Sequence, residues 1–109
     1  MDTIIDDDRS EQQSFNGVEL PCFMRVCDGT IDGWKPADVS GDMAADFAAG
    51  RLYADMAVKH AREVKNPHAI TFIIASMNCK AVRGEITYGG YEQGFIDRLA
   101  FLACAGSLN

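Results

Sequence analysis

Between Ser40 and Val64 two independent patterns repeat with one period, and together they require a long helix. Phe47, Ala54, Ala57, Ala61 and Val64 fall on one stripe at helical spacing. Arg51 and Asp55, Asp55 and Lys59, and Lys59 and Glu63 are opposite charges four residues apart on the other side, where helical side chains meet. The reading is a helix over 41–64, capped by Ser40, with Asp42 and Asp46 near its positive end. Gly50 lies inside that helix, where glycine costs about 1 kcal/mol relative to alanine. Close approach of another helix or strand at Gly50 is the expected offset.

Two more helices follow. Asn66-Pro67 is a start signal, with Asn66 as cap and Pro67 in the first turn. Apolar spacing continues through Met77 and Ala81 to a stop at Gly84, so a helix over 67–82 is expected. It is apolar on nearly all sides, which predicts a place in the middle of a bundle. Gly89-Gly90 precedes a third helix, 90–105, with Phe95, Leu99 and Leu102 as its main stripe and Gly106 as its end. Upstream, Val18, Leu20, Cys22, Met24 and Val26 alternate with their neighbours at a strand period of two. Asp28-Gly29 is a tight-turn signal, and Thr30, Ile31 and Trp34 are the expected returning strand, giving a hairpin over about 18–34. Residues 1–14 are polar, acidic and without period, and read as a flexible arm. The expected fold is therefore α+β but mostly helical: an acidic arm, then one small domain, 15–109, with a hairpin packed on three helices.

Composition limits what such a fold does. With 109 residues the chain is one domain. Fourteen residues are Ala and only 25 are Leu, Ile, Val or Phe, so the core is thin. Association with a partner or a second copy is expected of such a core. The net charge of −6 argues against a generally basic nucleic-acid or membrane-surface binder. Charge is uneven, however. Residues 1–46 carry 11 acids and 3 bases, and the rest carry 5 acids and 7 bases. The chain begins with neither a secretory signal nor a lipidation motif, and its longest apolar run, 69–77, is too short to span a bilayer. A cytoplasmic location is expected, with Cys22, Cys27, Cys79 and Cys104 as reduced thiols and the last two as small core residues.

No catalytic residue, metal site or cofactor is assigned. Asp28 and Asp32 match half of a calcium loop, but Val39 stands where the bidentate Glu belongs. Cys22, Cys27, His60 and His68 have poor spacing for zinc. Phosphate-loop, nucleophile-elbow and metalloprotease motifs are missing from the sequence. Tyr88, Tyr91 and Glu92 beside Gly89-Gly90 line either a small site or a packed corner. The favoured reading is a small acidic, non-enzymatic regulator or inhibitor that binds another protein at a basic surface of the kind that holds nucleic acid. Asp6, Asp7, Asp8, Asp28 and Asp32 would steer it, and Phe23 and Trp34 would anchor it. The runner-up is a helix-turn-helix DNA binder using Lys59, Arg62, Lys65, Lys80 and Arg83, with the acidic arm as a shield. An enzyme of unrecognised type comes third.

Overall fold

The computed structural model describes residues 14, 15 and 17–108, with side chains to position 105. Its order is β1 (Ser14–Phe15), β2 (Val18–Glu19), β3 (Arg25–Cys27), β4 (Thr30–Asp32), α1 (Met43–Val64), α2 (His68–Val82) and α3 (Gly90–Leu108). The fold is α+β and mostly helical. The strands form two small antiparallel pairs, β1 with β2 and β3 with β4. In the second, Val26 faces Ile31 and Cys27 faces Thr30. Asp28 and Gly29 join them with φ of 50° and 79°, two left-handed residues in a row, as the tightest hairpin turns require.

One expected strand is two. Pro21 has no N–H to give a ladder, and the Met24 N–H closes a turn onto the Pro21 carbonyl at 3.0 Å. The chain bends there, and Phe23 enters the interior with its carbonyl held by the Lys35 N–H at 2.6 Å. Trp34 likewise lies beyond β4, which ends at Asp32. At the start of α1 the cap is Asp42 rather than Ser40: the Asp42 carboxylate accepts from the Ala44 and Ala45 N–H groups. Ser40 instead supports Asp42, its hydroxyl accepting the Asp42 N–H at 3.0 Å. Asn66 accepts the His68 N–H at 3.0 Å, but α2 begins one residue later than expected, at His68, with Pro67 rather than Asn66 in the cap position. Gly106 does not end α3, which runs to Leu108.

The helices are arranged around α1 and α3, not around α2. Contacts between α1 and α3 advance in step: Gly90 lies against Met43 and Asp46, and Gly94 against Phe47 and Arg51. Further along, Arg51 pairs with Asp97, and Asp55 with Arg98 at 2.9 Å. The two helices are therefore parallel, with α2 as the return. Glycine makes the contact this close. A Cβ on Gly50 would sit 2.9 Å from the Tyr91 carbonyl carbon, and one on Gly94 2.9 Å from that of Phe47. The close approach expected at Gly50 is thus a helix crossing. It also redirects the charges of α1: Arg51 and Asp55, paired with each other in the sequence reading, reach across to α3.

The core fills the space beside this crossing. Phe23, Trp34, Tyr53, Tyr91 and Phe95 form one aromatic cluster, with Trp34 and Phe95 centroids 5.1 Å apart and Tyr53 stacked on Tyr91 at 5.6 Å. Leu20, Met24, Ala54, Ala57, Ile73 and Met77 close around it. Such rings supply the volume that an Ala-rich helix cannot. Only Ile73 and Met77 of α2 are buried. The glycine crossing draws α1 and α3 together and leaves α2 at one edge.

Candidate functional site

The first site candidate is a cleft of about 750 Å³ where the 35–41 loop meets the 84–90 connection. Its floor includes Trp34, Asp46, Lys80, Tyr91 and Glu92. Both carboxylates are buried, and both stand near helix N-termini, Asp46 in the first turn of α1 and Glu92 in that of α3. Helix dipoles favour negative charge there. Glu92 accepts the Trp34 indole N–H at 2.8 Å through one oxygen and the Gly89 N–H at 2.9 Å through the other. The second bond is half of a capping box. Asp46 accepts the Ser40 N–H at 3.2 Å. The Tyr91 hydroxyl donates to the Asp38 carbonyl at 3.2 Å. Burial raises the Tyr91 phenol above its ordinary range, and the negative charges of Asp46, Asp38 and Glu92 add to this. Lys80 donates to Asp32 at 2.7 Å and to the Trp34 carbonyl at 2.5 Å. These bonds tie the hairpin, α2 and the start of α3 together, so the polar groups here serve as the joint of the fold. Tyr91 and Glu92 are thus both a packed corner and the wall of a cleft, whereas Tyr88 turns away to donate to Asn78.

The second candidate is the outer face of α2. Lys80 is the only Asp, Glu, Lys or Arg between His68 and Val82, and it is turned inward onto Asp32. Phe72, Ala75, Cys79 and Val82 share the opposite face and are all exposed, Phe72 by 42% and Val82 by 87%. A groove of about 480 Å³ runs alongside, with Phe72, Ala75, Cys79 and Ile31 as its apolar lining and Asp32, Lys35, Lys80, Arg83 and Glu85 as its charged lining. Sequence reasoning missed this face because it assigned α2 to the interior. The signal was present, since a helix with one charged residue has little charge to show to water, and only His68, Thr71 and Asn78 of α2 are exposed polar groups.

The residues singled out from the sequence are scattered. Phe23 and Trp34 are fully buried at 0% exposure, so they hold the core and present no anchoring surface. Asp28 is exposed at the hairpin turn. Asp32 is engaged with Lys80 and accepts the Trp34 N–H at 3.1 Å. Asp6, Asp7 and Asp8 lie outside the described residues. The five cations do not converge. Lys59, Arg62 and Lys65 are exposed near the start of α2, Lys80 is inward, and Arg83 pairs with Glu85 at 2.9 Å beyond its far end. The length of α2, about 20 Å, separates the two groups. The first turns of α3, which would read bases, have Gly90, Tyr91, Glu92, Gly94 and Phe95 buried. Cys79 and Cys104, expected in the core, are exposed, because their helices present those sides outward. Among the described residues, no three His, Cys, Asp or Glu side chains gather to hold a metal ion. No helix among them is long and apolar enough to cross a membrane. No protein-family model, curated protein or solved structure matches the chain.

Proposed function

We propose that this chain is a small acidic, non-enzymatic interaction module, a regulator or inhibitor that works by binding protein. The observation that carries the reading is the outer face of α2: an interior-type helix at the edge of the fold, with Phe72 and Val82 exposed and no charge among them. Depletion of charge with retained apolar area marks the centre of a protein interface. The acid-rich N-terminal half supports electrostatic steering towards a basic partner surface, with Asp28 exposed in it. Four cysteines without a disulfide support a cytoplasmic location.

The test compares the wild-type chain with Val82→Glu as baits in extract of the native host. Val82 is nearly all solvent-exposed, so the substitution leaves the fold intact. The wild-type chain should retain at least one protein that the variant releases, and association should slow with added salt. Equal retention by both baits would remove the face from the reading.

A further inference from the structure

The outer face of α2 is laid out to meet itself. Phe72, Ala75, Cys79 and Val82 follow at steps of three, four and three residues, the spacing of a coiled-coil seam. That order of steps reads the same in both directions. A second α2 laid antiparallel therefore sets Phe72 opposite Val82 of the second copy and Ala75 opposite Cys79 of the second copy, and a two-fold axis returns each contact. The sizes agree with this. Helices that cross at an angle are closest at the crossing and diverge from it. Ala75 and Cys79 stand at the centre, where backbones must approach, and Phe72 and Val82 stand at the ends, where space opens. A parallel pair would instead oppose Phe72 to Phe72 at one end and leave unlike layers along the seam.

Charge favours the same occupant. The chain carries −6, so two copies repel over most approaches. The outer face of α2 holds no carboxylate of its own, and the groove beside it sets Asp32 and Glu85 against Lys35, Lys80 and Arg83, so a second copy docks there without a net clash of like charges. We infer that α2 docks antiparallel on α2 of a second copy, crossing at Ala75 and Cys79. This inference rests on the reading of that face as protein-binding and narrows it: the face joins two copies, and the basic partner is met by the acid-rich halves that the dimer holds together. The resulting dimer holds two acid-rich N-terminal halves on one particle. Area sets its strength. A strip about 22 Å long and about 10 Å wide covers roughly 200 Å² per copy, well under the ~800 Å² per partner of stable complexes. The dimer is therefore weak and reversible.

Sedimentation velocity on the full chain, from micromolar to millimolar, tests this. The wild-type chain should pass from monomer to dimer as concentration rises. Val82→Glu should weaken the dimer by at least about a hundredfold, because it places two carboxylates in the seam. Register is tested in a chain with Ala75→Cys and with Cys22, Cys27 and Cys104 changed to Ser. Mild oxidation should join position 75 of one copy to Cys79 of the other, and adding Cys79→Ser should abolish that bond. Links of 75 to 75 and 79 to 79 would show parallel helices and overturn the proposal. A chain that stays monomeric at millimolar concentration also overturns it. If Val82→Glu still releases a host protein in that case, the face binds a different protein and the broader reading stands. If it releases nothing, both fail.

Discussion

Replacing Gly94 with alanine tests the central claim about the fold, because propensity and sterics predict opposite signs. Alanine inside a helix is favoured over glycine by about 1 kcal/mol, so a helix free of close neighbours would gain stability. In this fold the new methyl would lie 2.9 Å from the Phe47 carbonyl carbon and 3.1 Å from the Arg51 nitrogen, and closer still to the Phe47 oxygen. Carbon contacts relax near about 3.6 Å, so α3 must move from α1 by roughly 1 Å. The obstacle is backbone, which cannot swing aside. Overpacking of this kind costs about 3 kcal/mol at the upper end, and subtracting the propensity gain leaves about 2 kcal/mol of net loss. For a domain of this size that is a fall of about 10 °C in Tm. Trp34 is the only tryptophan and is fully buried, so its fluorescence reports urea unfolding directly. The midpoint should fall with little change in slope. Ala48→Gly on the exposed side of α1 is the control, and should lose about 1 kcal/mol from propensity alone. A Gly94→Ala chain as stable as wild type, or more stable, would refute the close parallel crossing.

Three further outcomes follow from the joint and the core. Glu92→Leu leaves the Trp34 indole N–H and the Gly89 N–H without their acceptor, and should cost about 3 kcal/mol in urea unfolding, with a shift in Trp34 emission. An unchanged midpoint would remove Glu92 from the framework. Lys80→Met strands the Asp32 carboxylate and the Trp34 carbonyl and should cost about 2 kcal/mol, part of which returns when Asp32→Asn is added. Strict additivity of the two changes would contradict the pairing. His60 is 7% exposed, its Nδ1 has no partner, and burial holds its imidazole below the ordinary 6.5 against a smaller upward pull from Glu63. The unfolded chain then takes up the proton first. This contribution is complete above 6.5 and falls as pH drops through it, levelling off once folded His60 also protonates. Urea midpoints compared at about pH 7.5 and about pH 5.5 should show the decline, and His60→Leu should flatten it. A slope unchanged by His60→Leu would assign it to another group.

The cleft and the α2 face were legible in the sequence to different degrees. Glu92 and Tyr91 are identifiable beside Gly89-Gly90 as groups near a helix start, because capping is local and written within a few residues. Trp34 as the donor to Glu92, 58 residues away, has no local sign. Phe23 and Trp34 illustrate the same limit. A ring in a turn-rich segment looks alike whether it anchors a partner or fills a core, and here the bend at Pro21 and the hydrogen bond that Trp34 donates to Glu92 carry both inward.

What the sequence by itself determined is local. The helix over α1 follows from a stripe and a charge pattern of one period, the hairpin turn from Asp28-Gly29, and the start of α2 from Asn66-Pro67. Each depends on neighbours a few residues apart, so a single chain position carries the information. Which helices pack, and in what direction, was decided only in three dimensions. Gly50, Gly90 and Gly94 have no side chain, and their meaning arises when two helices present bare backbone to each other. That crossing brought α1 and α3 together and moved the most apolar helix, α2, from its expected place at the centre to the edge. Its uncharged outer face, which the sequence assigned to the interior, became the surface through which this protein meets a partner in the function proposed above.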